Sequence, residues 1–90
     1  MLVRKDLSPA YRAVQAGHAV AEFLLTHNGL WKNSYLIYLG VKNENELDKW
    51  LYKLSEFPHA VFREPDINNE MTAIAVMADC KLFKNLRLLE

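Results

Sequence analysis

The chain has 90 residues, with eleven basic and eleven acidic side chains and a formal net charge of zero. A chain of this length folds around one modest core, so we expect a single domain over residues 1–90. The balanced charge excludes a general excess of basic groups, so any RNA contact must come from a local patch. Near-neutral charge also favours self-association.

Compartment and membrane contact follow from two further features of the composition. The single cysteine, Cys80, excludes an internal disulfide and a site built from several cysteines, which suits a reducing compartment. No stretch approaches the roughly 20 apolar residues that a membrane helix needs. Residues 1–6 lack the apolar segment of a secretory signal. We therefore expect a cytoplasmic protein without membrane contact.

The first third of the chain predicts a strand followed by a long helix. Residues 2–6 begin apolar and then turn polar, which is typical of the end of a buried strand. Ser8 suits an N-cap and Pro9 the first helical position, and residues 27–29 predict a stop near Thr26. Apolar residues, several of them very small, recur at intervals of three and four and predict a helix face that lies close against a sheet: Ala10, Ala13, Val14, Gly17, Ala21 and Leu24.

The middle of the chain predicts a second strand and a second helix. Residues 35–41 are rich in β-forming side chains. Asn43 with Glu46 three residues later resembles a capping box. The residues that follow show the period of an amphipathic helix, whose buried face we expect to be Leu47, Trp50, Leu51 and Leu54.

The last third predicts two strands and a closing helix. Residues 59–64 and 72–78 are the two strands, joined by a polar turn over residues 65–69. The second of them is apolar without alternation, which indicates a central strand covered on both faces. Asp79 is expected to cap a third helix, with an inward face of Leu82, Phe83, Leu86 and Leu89.

The element order β-α-β-α-β-β-α predicts an α/β fold, a three-layer α/β/α domain with a four-stranded mixed sheet. Two successive βα units indicate a parallel portion with helices on its faces. The short turn between the last two strands indicates an antiparallel pair. The nearest alternative is a ferredoxin-like arrangement, but it orders the strands differently and ends on a strand.

Charged side chains follow the first predicted strand, where open α/β sheets bind their ligands. Lys5 and Asp6 lie beside the start of the first helix, whose free N–H groups suit an anion or a developing oxyanion. Arg12 projects from the first turns of that helix. The alternative is that all three are ordinary surface charges, with Asp6 helping to cap the helix.

The first helix also carries a polar stripe, formed by Tyr11, Gln15, His18 and Glu22 at intervals of four, three and four. The stripe is either the solvent side of the helix or the wall of a groove at Gln15 and His18. Since a helix rises about 1.5 Å per residue, His18 lies roughly 15 Å from the helix start. A packing, dimer or RNA contact therefore suits His18 better than the role of catalytic base. No histidine spacing predicts a metal site.

Two carboxylates flank Pro65 at the end of the third predicted strand. A rigid turn can hold Glu64 or Asp66 toward a site, as a general base or as the partner of a cation. The alternative is a solvated turn. Thr72 offers a hydroxyl at the start of the fourth strand. Cys80 has no histidine paired with it by motif, and we expect it to be a small apolar residue or a helix-start residue and not a nucleophile.

Residues 3–7, Val-Arg-Lys-Asp-Leu, followed by Gln-Ala-Gly-His-Ala at residues 15–19, resemble the type 2 peptidyl-tRNA hydrolases. That family has a V-R-x-D-L strand end and a Q-x-x-H-A segment in its first helix, and residues 72–76 are similar to its final strand. The resemblance implies a compact α/β/α fold, frequently dimeric. It also implies hydrolysis of the ester between a peptide and the 3′ ribose of tRNA, without a metal or organic cofactor.

The resemblance implies roles for the residues singled out above. Arg12 and the helix N-terminus would stabilise the oxyanion, while Glu64 or Asp66 would orient water or that cation. Thr72 matches a family threonine. The residues expected on the tRNA-binding side are Arg4, Lys5, Asp6, Gln15 and His18.

The chain also departs from the family pattern. The segment between Asp6 and Gln15 is shorter, and Tyr11 stands where the family carries the lysine of a glycine-lysine pair. This departure supports a second hypothesis, a non-catalytic relative that binds RNA or a protein partner.

Overall fold

The computed structural model describes residues 1–88. Two α-helices and four strands follow one another along the chain in the order β1 (Leu2–Arg4), α1 (Pro9–Thr26), β2 (Leu39–Val41), α2 (Glu44–Lys53), β3 (His59–Glu64) and β4 (Glu70–Val76). Short 3₁₀ turns follow β3 and β4 at Pro65–Ile67 and Cys80–Phe83. Within residues 1–88, neither helix is long and apolar enough to cross a membrane.

The four strands form one mixed sheet in the order β2-β1-β4-β3. β1 and β2 are parallel, and β4 is antiparallel to both of its neighbours. β1, β2 and β3 therefore point the same way, and their carboxyl ends share one edge of the sheet with the start of β4. The predicted α/β class, the mixed sheet and the central position of the last strand are confirmed.

Helix α1 begins and ends where the sequence predicts. The Ser8 side chain accepts a hydrogen bond from the Tyr11 backbone N–H, and Pro9 occupies the first turn. The predicted buried face is wrong, because all six residues of that set are exposed. The buried residues of α1 are instead Gln15, Ala16, Ala19 and Phe23.

The physical reason for this rotation lies in the residue types. Alanine and glycine are so small that they favour neither face of a helix strongly, whereas one large aromatic residue does. Phe23 therefore determines the buried side. Gln15 can join it there because a buried amide is tolerated once its donors and acceptor are hydrogen-bonded.

Helix α2 has the predicted start and the predicted buried face. The Asn43 side chain accepts a hydrogen bond of 3.0 Å from the Glu46 backbone N–H. Leu47 and Leu54 are buried, and Trp50 and Leu51 are half-buried against the same cluster.

The two helices pack against different residues of the same strands. Val3 and Ala73 belong to the core cluster of α1. Their strand neighbours Leu2 and Ile74 belong to the cluster of α2. Successive side chains of a strand point to opposite faces, so each strand contributes to both clusters. This double burial explains why β4 lacks polar alternation.

Three other predictions about regular structure are wrong. The second strand comprises only Leu39–Val41, since residues 35–37 are exposed loop, and the fourth spans Glu70–Val76 and not residues 72–78. The third helix is replaced by the 3₁₀ turn Cys80–Phe83, which Asp79 caps through the Lys81 backbone N–H.

The chain beyond that turn becomes extended. Leu88 forms an antiparallel bridge with Leu39, and the Gly40 N–H donates to the Arg87 carbonyl, which a continuous helix would prevent. Of the predicted inward face, Phe83 and Leu86 pack against the α2 cluster and Leu82 is exposed. Leu89 lies outside the described residues.

We expect Phe23→Ala to lower the free energy of unfolding by about 3–5 kcal/mol, because a buried aromatic ring is removed and a cavity is left. Leu24→Ala, at the adjacent position of α1, should cost no more than about 1 kcal/mol, because Leu24 is 42% exposed. Urea denaturation of both variants measures the difference. Equal losses of unfolding free energy in the two variants would contradict the structure, in which α1 buries Phe23 and exposes Leu24.

Candidate functional site

The ends of β1 and β3 open onto the same edge of the sheet, which the sequence-based mechanism requires. Glu64, at the end of β3, pairs in register with Glu70 at the start of β4. The guanidinium of Arg4, at the end of β1, reaches the Glu70 carboxylate at 2.8 Å. Side chains from β1, β3 and β4 therefore meet at this edge.

A β-bulge in β4 shapes this edge. Phe62 of β3 pairs with Ala73, but the next residue, Arg63, pairs with Met71, so Thr72 is an extra residue in β4. Bulges of this kind change the direction of a side chain and are frequent near functional sites. Thr72 and Ala73, although adjacent, therefore both contact the α1 side of the sheet.

Three buried side chains form a hydrogen-bonded chain from β4 through α1 to β3. The Thr72 hydroxyl donates to Gln15 Oε1 at 2.6 Å, and Gln15 Nε2 donates to Glu64 Oε1 at 2.8 Å. The hydroxyl has a second acceptor in the Phe62 carbonyl at 3.4 Å. Because the carbonyl oxygen of Gln15 faces Thr72, its NH₂ group must face Glu64. The network thus orients one carboxylate.

Glu64 is held as a charged acceptor. The hydrogen bond from Gln15 is the main cause that lowers the pKa of Glu64 below its usual 4.5, and the backbone N–H of Asp66 and the charge of His18 lower it further. The Asp66 N–H lies 3.4 Å from Glu64 Oε2. Glu64 is therefore ionised at neutral pH. Asp66 itself is exposed, and its backbone contributes to the site.

Tyr11 lies on the side of Glu64 toward the start of α1. Its phenol is close enough to the Glu64 carboxylate to interact with it electrostatically. Burial raises the pKa of the Tyr11 phenol, and the negative charges of Glu64 and Asp66 raise it further. The phenol therefore stays protonated at neutral pH. Its position is one helical turn before Gln15, at the first step of the polar stripe.

His18 lies one turn after Gln15 and stacks on Phe62. The two ring centroids are 4.3 Å apart and the planes differ by only 8°. His18 is exposed and Phe62 is half-buried. Of the polar stripe predicted for α1, Gln15 is buried and donates to Glu64, Tyr11 is half-buried, and His18 is exposed. Glu22, the fourth member, is exposed.

Arg12 supports the loop between β1 and α1. Its Nε donates to the Leu7 carbonyl at 2.7 Å and its Nη2 donates to the Lys5 carbonyl at 2.5 Å. Its charge also lowers the pKa of Asp6. The structure therefore assigns Arg12 a role in fixing the backbone next to the site.

Arg4 and Asp6, both predicted to bind substrate, form an internal brace. The Arg4 guanidinium is buried and donates to both oxygens of Asp6, at 2.9 and 2.8 Å, and to Glu70. The hydrogen bond from Arg4 lowers the pKa of Asp6. Lys5, between them in sequence, is exposed and leaves its side chain on the surface.

Two clefts open on opposite edges of the sheet. A cleft of about 420 Å³ at the shared edge is lined by residues that include Lys5, Lys42 and Arg87. A larger cleft of about 670 Å³ at the other edge is apolar and is lined by residues of α1, β4 and the loop before β2. None of the predicted site residues lines the larger cleft.

The sequence did not indicate Phe62, and it indicated Tyr11 as a member of the stripe and as the residue in the place of the family's lysine, without a role in the site. The available signals were that Phe62 lies two residues before Glu64 and Tyr11 four residues before Gln15. Within residues 1–88, no group of three or more His, Cys, Asp or Glu side chains could hold a metal ion. No protein-family model matches the chain, and no curated protein shows significant similarity to it.

We expect Gln15→Met to raise the pKa of Glu64 toward 4.5, because methionine keeps the volume and removes the main hydrogen-bond donor. Titration of the Glu64 side-chain carboxyl carbon by NMR measures it. Glu22→Gln, on the same helix, serves as the control and should leave the pKa of Glu64 unchanged.

The same substitution should change the pH dependence of stability. A lowered pKa in the folded state means that ionised Glu64 stabilises the fold above about pH 4.5, and that this contribution disappears as pH falls through the folded-state pKa. The difference in the free energy of unfolding between wild type and Gln15→Met should therefore become smaller below about pH 4.5. An unaltered pKa of Glu64 would contradict the assigned role of Gln15.

Proposed function

We propose that this protein hydrolyses the ester bond of peptidyl-tRNA, or of N-blocked aminoacyl-tRNA, and releases peptide and tRNA. The observation that carries the proposal is the ionised Glu64 carboxylate, held by the buried Gln15–Thr72 pair between Tyr11 and His18. It adds to the resemblance of the Val-Arg-Lys-Asp-Leu and Gln-Ala-Gly-His-Ala segments to the type 2 peptidyl-tRNA hydrolases.

In the proposed mechanism Glu64 orients a water molecule and accepts its proton as the water oxygen attacks the ester carbonyl. The new carbon–oxygen bond forms, the bond to the ribose O3′ breaks, and the proton passes from Glu64 to that oxygen. The free N–H groups at the start of α1 are the donors for the oxyanion that develops. Arg12 holds the loop at the helix N-terminus, whose N–H groups favour negative charge.

Contacts with the phosphates of the tRNA are assigned to the cleft at the shared edge of the sheet. Lys5, Lys42 and Arg87 line its cleft, and Glu46 is the acidic residue among the lining side chains. Such a local group of cations can contact phosphates although the chain has no net charge. The reaction as proposed uses no metal or organic cofactor, as the resemblance implies.

The proposal includes a three-layer architecture and a cytoplasmic location. Because alternate residues of β1 and β4 belong to the clusters of α1 and α2, we infer a three-layer α/β/α arrangement of one domain. We place the protein in the cytoplasm, where its substrate is produced.

A non-catalytic RNA-binding relative is the second candidate. The observation that favours it is that both oxygens of Glu64 already accept hydrogen bonds from protein groups, Gln15 on one and Asp66 on the other. A carboxylate so satisfied, with a lowered pKa, is a weaker base. This candidate predicts tRNA binding without release of peptide.

We expect Glu64→Gln to lower kcat/KM for N-acetyl-aminoacyl-tRNA at least about 100-fold, because glutamine keeps the shape and cannot accept a proton. Release of the acetylated amino acid, followed by acid precipitation, measures the rate. Glu22→Gln on the exposed end of the stripe is the matched control and should retain activity. Wild-type protein without turnover at any concentration would favour the second candidate.

We also propose a homodimer built on the apolar cleft. Tyr35, Leu36, Ile37 and Met77 line that cleft and are between 37% and 90% exposed. Large exposed apolar patches usually mark interaction sites, and a neutral chain offers little charge repulsion between copies. A second copy of this chain is therefore the occupant that we assign.

We expect light scattering to give wild type twice the chain mass of 10.4 kDa, and Leu36→Glu to give a monomer, because the charge cannot be buried in an apolar contact. Leu25→Glu is the control, since Leu25 is exposed on α1 outside the cleft. A monomeric wild type at micromolar concentration would contradict the proposal.

A further inference from the structure

The stack of His18 on Phe62 leaves one aromatic face open. Phe62 covers one side of the imidazole, with nearly parallel planes. The His18 residue is nevertheless exposed, and among residues 1–88 its ring makes no hydrogen bond. The opposite face of the imidazole is therefore presented to solvent.

The orientation of this open face is fixed by its surroundings. His18 is carried by α1 between the buried residues Gln15 and Ala19, so its backbone is anchored to the core. The parallel contact with Phe62 restricts the ring itself. A flat ligand that stacks there meets a surface that is already ordered, which reduces the entropy lost on binding.

The open face also lies beside the carboxylate of the candidate site. His18 is one helical turn from Gln15, whose amide holds Glu64. The charge of His18 is close enough to contribute to the lowered pKa of Glu64. A planar group stacked on His18 would therefore lie on the α1 side of the sheet, where Gln15 holds Glu64.

We infer that the outer face of the His18 imidazole is a stacking platform for the unpaired nucleobase at the 3′ end of an RNA strand. The inference rests on the proposed function, because the ester in that reaction is joined to the ribose of this terminal nucleoside. Stacking on aromatic side chains is the usual way in which proteins hold unpaired bases, and it tolerates any base. Phe62 acts as a positioning residue for the platform.

The experiment uses a five-nucleotide RNA that ends in 2-aminopurine, whose fluorescence is quenched when it stacks. Wild-type protein should bind the RNA and quench it. His18→Ser should weaken binding about tenfold and abolish the quenching, because the ring is lost. His18→Phe should restore both to within about threefold of wild type, since a phenyl ring also stacks.

Two controls separate the platform from general effects. Tyr52→Ser removes another exposed aromatic residue, on α2, and should leave binding unchanged. An RNA of the same length with an abasic 3′ end should bind wild type about as weakly as His18→Ser binds the intact RNA. His18→Ser should bind the abasic RNA with the same affinity as the intact RNA, because the substitution and the missing base remove the same contact.

Several outcomes would overturn the platform. The first is that His18→Ser and the abasic end lower the binding free energy additively. The second is that wild type does not quench the fluorescence. The third is that wild type binds free adenosine monophosphate and the RNA with equal affinity. Hydrolysis is judged separately with Glu64→Gln, which should keep RNA binding. If RNA binding depends on His18 but no ester is hydrolysed, the platform stands and the hydrolase proposal fails. If His18→Ser hydrolyses substrate with an unchanged KM, the platform fails and the hydrolase proposal stands.

Discussion

The side-chain amide of Gln15 is wholly buried between α1, β3 and β4, and its two hydrogen bonds fix how these three elements meet. A buried amide without partners is costly, so the rotation of α1 that buries Phe23 is tolerated because it also brings Gln15 to both Thr72 and Glu64. The same bonds decide the direction of the amide and the charge state of the carboxylate. Packing and chemistry therefore depend on one contact.

The other polar groups at this edge of the sheet are of two kinds: some hydrogen-bond neighbouring elements to one another, and the others are exposed to solvent. Arg4, Asp6 and Glu70 tie the end of β1 to the start of β4. Glu44 accepts a hydrogen bond of 2.7 Å from the Met71 backbone N–H, which joins α2 to the same place. These bonds make the edge stiff, and they leave Tyr11 and His18 as the ring-bearing side chains that flank the carboxylate.

Local signals in the sequence were sufficient for much of the fold. Ser8 and Asn43 mark helix starts because capping depends on neighbouring residues alone, and the large leucines of α2 identify its buried face. The buried face of α1 could not be predicted in this way, because it depends on a polar partner 49 residues away in sequence. The bridge between Leu39 and Leu88, which excludes the third helix, is likewise a long-range contact.

The candidate site shows the same division between local and long-range information. Residue types and strand ends indicated Glu64, Gln15 and Thr72 separately, and the structure brings these three together. Nothing in the sequence predicted that Arg12 would bind the carbonyls of the β1–α1 loop, or that Phe62 would support His18.

The extra residue in β4 has a consequence for how this site could be lost. Without Thr72, Met71 and Ala73 would become neighbours and would alternate regularly between the two faces, so the ladder with β3 would close without a gap. Thr72 belongs to neither hydrophobic cluster, but its loss would leave the buried carbonyl oxygen of Gln15 without a donor. A one-codon deletion would therefore make the ladder regular and weaken the contact between α1 and the sheet, so the bulge links the orientation of Glu64 to the stability of the domain.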